Sequence, residues 1–341
     1  GPMPMTVAQG KRSSTSRSYL RPVKGRRNLQ VLTQAQVQRI EMRGTHAVCV
    51  EVLLKGQIER LTATKEILIC AGAINSPQLL MLSGIGPGTH LHAMGLETLV
   101  DSPQVGQNLM DHLEVYVQQA CTEPVSLHKH LGLLGRAKIG VQWLTTHKGL
   151  GATNHFEVGG FVRSDPCQAQ PDIQFHFLPT AMSYDGTAKA KGHGFQVHVG
   201  PMLTKSRGAV TLRSPRPNDA PKIVFNYMSH EDDWRVFSSA IRQAREIFSQ
   251  PALEHLRGQE LSPGEQCQSD AQLDAFVAAH AESAYHPCGT CRMGSDAQAV
   301  VDPEGRVNGV TGLRVIDASV FPHITNGNLN APTIMLSERM A

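Results

Sequence analysis

The sequence predicts a mixed α/β protein, in which part of a doubly wound α/β domain is joined to a domain built on an antiparallel sheet. Three observations predict this fold. A strand runs through a glycine turn into a helix near residues 66–84, polar and apolar residues alternate in runs between residues 113 and 284, and the end of the chain returns to strand-then-helix patterning. The predicted domains are therefore residues 1–112, residues 113–284, and residues 285–341, which return to the first domain. A chain of 341 residues is long enough for one large or two medium domains.

The first predicted domain carries the clearest helix signal. A helix is predicted over residues 75–84, because Pro77 suits a first helical turn and Gly84 suits a stop. Asn75 or Ser76 would be its N-cap. A strand that enters such a helix through a glycine turn leaves backbone N–H groups available for an anionic group. The predicted strands of this domain are residues 28–33, 47–52 and 66–70, with a turn at Lys55 and Gly56.

The middle domain has a different sequence pattern. Residues 173–177 and 195–199 alternate between apolar and polar side chains, which predicts antiparallel strands with one dry face and one wet face. Residues 230–250 are predicted to form one helix, since acids in its first turn suit the helix dipole and apolar residues recur at helical spacing. Near the end of the chain, residues 313–317 are predicted as a strand and residues 333–341 as the start of a helix. That helix stops after about two turns, so the sequence is expected to be truncated there.

Composition excludes several classes of function. The net charge of +3 is too small for a nucleic-acid-binding protein, and Lys and Arg residues are scattered along the sequence. No run of about eighteen apolar residues would span a membrane, and the first residues have neither the basic nor the apolar part of a signal peptide. The seven cysteines show no disulfide spacing, which favours a reducing compartment. Cys49 and Cys70 lie in apolar strand-like runs and are predicted to be buried.

The segment Tyr285–Gly294 is the first candidate for chemistry. The proline after His286 favours extended backbone, so this imidazole lies on a stiffened loop, which suits a general base whose reach must be fixed. A buried histidine with satisfied hydrogen bonds is the alternative. Cys288 and Cys291 form a C-x-x-C pair, but a structural zinc site needs a second pair of ligands and a thioredoxin-like motif should open a helix. We therefore expect loop packing here rather than a metal or redox site.

Two further segments hold polar groups in unusual surroundings. Residues 325–333 form a turn rich in Asn and Gly, and Pro332 lies where a helix begins. The N-terminus of that helix would stabilise an anion, or the turn would be a simple cap. Glu157 stands between apolar neighbours on a predicted strand, where an unpaired buried carboxylate is costly. It either faces solvent or meets a cation, and an aromatic-lined pocket beside it would hold a quaternary ammonium group.

Together these segments resemble the glucose-methanol-choline (GMC) oxidoreductase family. Residues 72–86, Gly-Ala-Ile-Asn-Ser-Pro-Gln-Leu-Leu-Met-Leu-Ser-Gly-Ile-Gly, are similar to that family's second signature along its whole length. Residues 10–22 and 105–112 resemble further family segments, as do the His286 loop and the Asn330 turn, so the resemblance runs nearly end to end. The segments that resemble the choline-oxidising dehydrogenases of bacteria are residues 123–127, 154–157 and 225–231.

The resemblance implies roles for individual residues. His286 would handle the proton of the substrate hydroxyl group, and Asn330 would orient that group. Glu157 would face a trimethylammonium head, and His176 would hydrogen-bond the substrate. The residues implied to contact the flavin are Asp317, Ala318, Asn328 and Thr333, with Val37 on a strand that reaches the adenine.

The resemblance also implies FAD as the cofactor, and choline or a similar small alcohol as the substrate, oxidised to betaine aldehyde. A quinone-type acceptor would take the electrons, in an enzyme that is cytoplasmic or peripheral on the inner membrane in bacteria, and on the mitochondrial inner membrane in eukaryotes. The family's G-x-G-x-x-G turn seats the flavin diphosphate. It does not occur in these 341 residues and is expected before residue 1, so the chain taken alone should bind flavin poorly. The alternatives are another alcohol as the substrate, or a non-catalytic fragment that acts as an interaction module.

Overall fold

The computed structural model describes residues 1–183 and 192–341. The chain divides into two compact units. Unit 1 comprises residues 1–31, 113–201 and 234–282, and unit 2 comprises residues 32–112, 202–233 and 283–341. The division into three domains that the sequence patterning predicts stays a prediction.

Strands and helices are interspersed along the described residues. The strands, in chain order, are β1 (Val7–Ala8), β2 (Lys11–Arg12), β3 (Ala35–Arg43), β4 (His46–Leu54), β5 (Gln57–Thr62), β6 (Ile67–Ile69), β7 (Ile85–Gly86), β8 (Val100–Asp101), β9 (Leu113–Cys121), β10 (Val158–Val162), β11 (Ile173–Leu178), β12 (Gly194–Pro201), β13 (Ala209–Thr211), β14 (Lys222–Val224), β15 (Arg257–Ser262), β16 (Glu282–Ser283) and β17 (Leu313–Val315). The helices are α1 (Arg21–Val23), α2 (Gly72–Leu82), α3 (Gly88–Ala93), α4 (Leu133–Thr146), α5 (Glu231–Ser249), α6 (Asp270–His280) and α7 (Asn330–Met340). Short helical turns lie at Ser16–Leu20, Leu127–His130, Leu150–Ala152, Pro251–Leu253 and Ala318–Val320. None of these helices is both long and apolar enough to cross a bilayer.

Unit 1 is built on an antiparallel sheet, in which strands follow the order β10-β11-β12-β9-β15. The strands predicted at residues 173–177 and 195–199 are confirmed as β11 and β12. All eight residues of β12 are buried, so the prediction of one wet face is wrong for this strand. β12 lies between β11 and β9, and a strand is buried along its whole length when other elements pack on both faces of its sheet.

One cross-strand row of this sheet carries three rings. His176 of β11 lies opposite Gly159 of β10 on one side and opposite His198 of β12 on the other. His198 in turn lies opposite Tyr116 of β9. Directly opposed residues point to the same face of a sheet, so two imidazoles and a phenol share that face.

Helix α5 packs against the opposite face of the same sheet. Phe248 of α5 meets Phe195 of β12 with ring centroids 5.1 Å apart. Phe237, Ile241 and Ala244 of this helix are fully buried, and the three acids of its first turn are present as expected. The helix predicted over residues 230–250 and its apolar face are confirmed.

Unit 2 contains a parallel pair of strands. Leu313 of β17 lies opposite Ile67 of β6, and Val315 lies opposite Ile69. Each strand leads into a helical element, α2 after β6 and the turn Ala318–Val320 after β17. β3, β4 and β5 form a separate antiparallel sheet, in which β4 confirms the strand predicted at residues 47–52.

The strand predicted at residues 28–33 is wrong. Those residues, which the structure describes, form no strand, and the extended segment of this region is β3, whose pairing with β4 starts at Ala35 opposite Leu54. Gln34 has a φ angle of 54°, which interrupts an extended run just before the pairing begins. Strand propensity does not reveal which residues find a partner strand.

Helix α2 begins at Gly72, three residues before its predicted start. Gly72 has a φ angle of 79°, and its N–H group donates to Oδ2 of Asp317 over 2.9 Å. The predicted N-cap at Asn75 or Ser76 is therefore wrong, because the acceptor at the helix start lies 245 residues away in sequence. Local capping rules do not detect such an acceptor.

The two cysteines predicted to be buried differ from each other. Cys49 is 4% exposed, as predicted. Cys70 is exposed, because side chains alternate along β6 and its continuation, with Ile67 and Ile69 buried and Leu68 exposed. The prediction for Cys70 is wrong, because position 70 falls on the exposed side of this alternation.

Candidate active site

The His286 loop is held on two sides within unit 2. On one side, Met110 and Cys288 exchange two backbone hydrogen bonds of 3.0 and 2.9 Å. On the other side, the N–H group of Gly289 donates to the carbonyl oxygen of Ala318 over 3.1 Å. His286 itself is half-buried. The double attachment fixes the backbone from which the imidazole extends.

Asp111 anchors the start of this loop. Its side chain is buried, and Oδ1 accepts from the N–H groups of His112 and His286 over 2.9 and 2.8 Å. Oδ2 accepts from the hydroxyl groups of Tyr227 and Ser283 over 2.6 and 2.5 Å. Four donors satisfy the buried carboxylate. Burial of Tyr227, together with its hydrogen bond to Asp111, raises the pKa of the phenol well above its usual range, so this donor keeps its proton.

His112 determines which nitrogen of His286 carries the proton. Nε2 of His112 lies 2.9 Å from the carbonyl oxygen of Met202, which only accepts, so this nitrogen carries a proton and donates it. His112 is fully buried, where a second proton on the ring is costly, and its Nδ1 therefore accepts. The partner is Nδ1 of His286, 3.0 Å away, which must donate. In the neutral His286 ring the basic atom is then Nε2.

The turn before α7 brings an amide to this basic atom. Nδ2 of Asn328 lies 3.2 Å from Nε2 of His286, although the resemblance implies a flavin contact for Asn328. Asn330 is the first residue of α7, and both amides are exposed. The hydroxyl of Thr333 donates to the carbonyl oxygen of Leu329 over 2.7 Å. The role expected for Asn330 in orienting a substrate stays a prediction.

Asp317 accepts hydrogen bonds from the first residues of two helical elements, α2 and the turn Ala318–Val320. Its Oδ2 accepts from Gly72 N–H over 2.9 Å and from the Ser76 hydroxyl over 2.5 Å. Its Oδ1 accepts from the N–H group of Ser319 over 2.8 Å. The buried carboxylate is therefore satisfied by protein donors, and it fixes the carboxyl ends of β6 and β17 relative to the helical elements that follow them.

The surface of unit 2 offers a partial fit for FAD. Val37 and Leu68 are exposed apolar side chains of this unit, 39% and 48% exposed, and apolar side chains of this kind suit contact with an aromatic ring. The start of α7 at Asn330 presents N–H groups that favour negative charge. A glycine-rich diphosphate turn is not among the 341 residues, so the residues present fit one part of the cofactor. The flavin contacts that stay predictions are those of Val37, Asp317, Ala318, Asn328 and Thr333.

The two residues expected to bind substrate lie in unit 1. Glu157 is half-buried and precedes β10, which starts one residue later at Val158. Its Oε1 accepts a hydrogen bond from the hydroxyl of Thr153. The ring of Phe156 stands edge-on to His176, with centroids 6.1 Å apart. Phe156 therefore contacts His176 and is adjacent in sequence to Glu157.

A cavity of about 370 Å³ opens in unit 1, within the usual size range of small-molecule sites. Phe156, Tyr116 and His198 are among the residues that line it, and the rings of Phe156 and Tyr116 lie 5.1 and 4.2 Å from that of His198. Among the described lining residues, neither Glu157 nor His176 occurs. Aromatic walls of this kind suit a quaternary ammonium group.

A buried polar chain underlies this cavity, and sequence reasoning missed it. Nδ1 of His198 lies 2.8 Å from Oε1 of Glu114, and Nε2 lies 2.7 Å from Nε2 of Gln196. Oε1 of Gln196 accepts from Gln118 over 2.7 Å. The available signal was the alternation in residues 195–199, which puts Gln196 and His198 on one face. That face is predicted to be wet, whereas these polar groups are buried and satisfy one another.

Asp111 and His112 were also missed. Both lie within residues 105–112, which resemble a family segment, and that resemblance was the only signal for them. Nothing in the local pattern connects Asp111 to His286, since 175 residues separate the carboxylate from the N–H group it accepts.

Cys288 and Cys291 are fully buried thiols. Burial raises the pKa of Cys288 to about 12 and raises the pKa of Cys291 as well, so both stay protonated near neutral pH. Over residues 1–183 and 192–341, no group of three His, Cys, Asp or Glu side chains is arranged to hold a metal ion.

We expect iodoacetamide to modify Cys167 in the folded protein at neutral pH, and to leave Cys288 and Cys291 unmodified. Alkylation needs an accessible thiolate, and Cys167 is exposed whereas the other two are buried. Peptide mass mapping measures the extent at each site, and denatured protein, in which all three should react, is the control. Rapid modification of Cys288 in the folded state would contradict this.

Family models described as GMC oxidoreductase match residues 1–114 and residues 204–337. The oxygen-dependent choline dehydrogenase of Brucella canis is 53% identical over 341 residues, which is 99% of this chain and 62% of that protein. The oxygen-dependent choline dehydrogenase of Klebsiella pneumoniae is 54% identical over 345 residues, which is 100% of this chain and 62% of that protein. The chain thus spans 62% of the length of these curated relatives.

Solved structures share the fold. Pyridoxine 4-oxidase from Mesorbium loti has a TM-score of 0.85 and 32% identity, over 98% of this chain and 62% of that one. A variant of the Aspergillus oryzae RIB40 formate oxidase, made to probe FAD modification, has a TM-score of 0.90 and 26% identity, over 98% of this chain and 63% of that one. These similarities confirm the predicted mixed α/β fold with antiparallel sheets.

Proposed function

Because this chain belongs to the GMC oxidoreductase family, we propose that the enzyme to which it contributes oxidises choline to betaine aldehyde with FAD as its cofactor. One observation carries the proposal. The hydrogen bonds of His112 leave Nε2 as the basic atom of His286, on a loop held from both sides. An imidazole prepared in this way is what removal of a hydroxyl proton requires.

His286 accepts the hydroxyl proton of the substrate at Nε2. Loss of this proton builds negative charge on the substrate oxygen, which weakens the C–H bond of the adjacent carbon, and bound FAD would supply the acceptor for that hydride. Asn330 donates an amide hydrogen bond to the same oxygen, and His176 is the further histidine that hydrogen-bonds the substrate in this proposal. His286 and Asn330 both lie in unit 2, and fixed positions for these two groups lower the barrier because orientation is achieved before the reaction.

Glu157 faces the trimethylammonium head of choline. Its carboxylate adds Coulomb attraction to cation–π attraction from an aromatic ring such as that of Phe156, the residue before it in the chain. This combination favours a cationic alcohol over a neutral one of the same size. The flavin-contacting residues in the proposal are Val37, Asp317, Ala318, Asn328 and Thr333.

A quinone-type molecule accepts the electrons, in an enzyme that is cytoplasmic or peripheral on the inner membrane of a bacterium. The curated relatives from Brucella and Klebsiella are named oxygen-dependent choline dehydrogenases, which makes molecular oxygen the second candidate acceptor. The rates of oxygen uptake and of quinone reduction, measured on one preparation, distinguish the two acceptors.

The proposed reaction is tested with the full-length enzyme under anaerobic conditions. Choline is expected to bleach the flavin absorbance and to yield one betaine aldehyde per flavin, measured by mass spectrometry. The neighbours pyridoxine 4-oxidase and formate oxidase show that this fold serves other substrates, so pyridoxine and formate are the comparison substrates. Equal bleaching by pyridoxine and by choline would contradict the choline assignment.

A further inference from the structure

Helix α4 of unit 1 exposes an apolar stripe. Leu133, Leu134, Val141 and Leu144 are 87%, 88%, 61% and 69% exposed. Positions 133 and 144 are about three helical turns apart, and positions 134 and 141 are about two turns apart. The two pairs lie within about 100° of each other around the helix axis, so the four side chains together cover one side of the helix. We call these four residues the α4 stripe. Aliphatic side chains at this spacing normally form the buried side of a helix.

The opposite side of α4 packs on unit 1. The indole Nε1 of Trp143 donates to the carbonyl oxygen of Gly10 over 2.7 Å. Ile139 and Trp143 lie against Gly151, and Arg136 and Ile139 line the cavity of about 370 Å³. The helix is therefore attached through one face, and the α4 stripe is the face directed away from the attachment.

The chain on both sides of the stripe in sequence carries charge of a single sign. Between Glu123 and Glu157 the chain has no Asp or Glu residue, but it has four cations, Lys129, Arg136, Lys138 and Lys148. Residues 1–31, which contact α4 through Gly10, contain seven Lys and Arg residues and no acid. The remainder of the chain has 21 Lys and Arg residues against 29 Asp and Glu residues. The positive charge of this chain is therefore concentrated in the two segments that meet at α4.

We propose that the α4 stripe and its flanking lysines dock the enzyme on an anionic lipid bilayer. A helix that lies in a bilayer surface has exposed aliphatic residues on one side and Lys or Arg at its borders, and Lys129, Lys138 and Lys148 stand at the two ends and one edge of the stripe. A stable protein partner needs roughly 20–30 residues on each side, whereas the stripe has four. Neither the length nor the charge of this surface favours a second copy of the chain.

Docking in this way gives the cavity a position relative to the lipid. The inner side of α4 forms part of the cavity wall, so the wall lies one helix thickness from the bilayer surface. A lipid-soluble electron acceptor is concentrated there. The link between bilayer docking and electron transfer rests on the proposed quinone-type acceptor. Binding of the α4 stripe to the bilayer does not depend on which alcohol is oxidised.

Co-sedimentation with vesicles tests the surface in the full-length enzyme. Vesicles of phosphatidylcholine with phosphatidylglycerol are expected to bind the enzyme, and vesicles of phosphatidylcholine alone to bind it much less. The double variant Leu133→Ser/Leu134→Ser should lose about tenfold or more in binding, since each leucine loses apolar burial. Lys129→Glu/Lys138→Glu should lose a similar amount, and raised salt should weaken the wild type by screening. The matched control is the variant Ile58→Ser/Leu61→Ser. It replaces two exposed apolar residues of β5 and should bind vesicles as the wild type does.

Three results would overturn the proposal. Equal vesicle binding by the stripe variant and the control would show that the stripe makes no lipid contact. A fall of several degrees in the melting temperature of the stripe variant alone would show that another part of the enzyme covers the stripe. Dissociation of a wild-type dimer by the same variant, seen by sedimentation velocity, would assign the surface to a second copy. Choline oxidation with a soluble dye should be unchanged in the stripe variant, and this measurement separates the surface from the proposed reaction.

Discussion

Replacing His286 by Gln in the full-length enzyme is expected to reduce the rate of flavin reduction by choline about 10²- to 10⁴-fold. The amide of glutamine retains a hydrogen-bonding group but does not take up a proton. The tautomer set by His112, with Nε2 as the basic atom, is lost together with the ring. Anaerobic stopped-flow absorbance at saturating choline measures the rate, and the flavin content of the purified variant should equal that of the wild type.

His46→Gln is the matched control for this variant. His46 is an exposed histidine of unit 2, whose Nδ1 lies 2.9 Å from the hydroxyl of Thr311, and its replacement should leave the rate unchanged. A rate for His286→Gln within threefold of the wild type would show that another group removes the hydroxyl proton.

Replacing Glu157 by Gln is expected to lower kcat/KM for choline by about 10- to 100-fold, which corresponds to about 1.4–2.8 kcal/mol. The side chain keeps an acceptor for the Thr153 hydroxyl but loses the charge that attracts the trimethylammonium head. The neutral alcohol 3,3-dimethylbutan-1-ol has the same shape without the charge, and its kcat/KM should change less than threefold. Steady-state kinetics with both alcohols gives the comparison.

The control for charge in general is Glu123→Gln, which neutralises an exposed carboxylate of the same unit and should affect neither alcohol. If Glu157→Gln reduced the use of choline and of the neutral alcohol by the same factor, the carboxylate would act on folding or on the reaction itself. A cation site at this position would then be excluded.

Elements with a strong local pattern were predictable from the sequence. Helix α5 was predicted nearly to the residue, because acids, apolar spacing and length all agree within one segment. β11 and β12 were predicted for the same reason, since alternation at period two is a local property. The His286 loop was identified as a loop because the proline that follows restricts its backbone.

Features that depend on distant partners were not predictable. The start of α2 is set by Asp317, and the position of His286 is set by Asp111, in each case across more than 170 residues. The buried polar chain of Glu114, His198 and Gln196 looks in the sequence like a wet face, because a polar side chain carries no sign of whether water or another residue will satisfy it. The contact of Asn328 with His286 was not predictable either, because the geometry of the turn decides which of its amides reaches the ring.

The parallel pairing of β6 with β17 has a consequence for folding during synthesis on the ribosome. Ile67 leaves the ribosome 246 residues before Leu313, its partner in the pairing. At a synthesis rate of about 5–20 residues per second, β6 waits about 12–50 s with one edge unpaired. An unpaired, partly apolar strand edge is a template for aggregation. We therefore expect slower translation to lower the soluble yield of the protein, and chaperones that hold nascent chains to restore it.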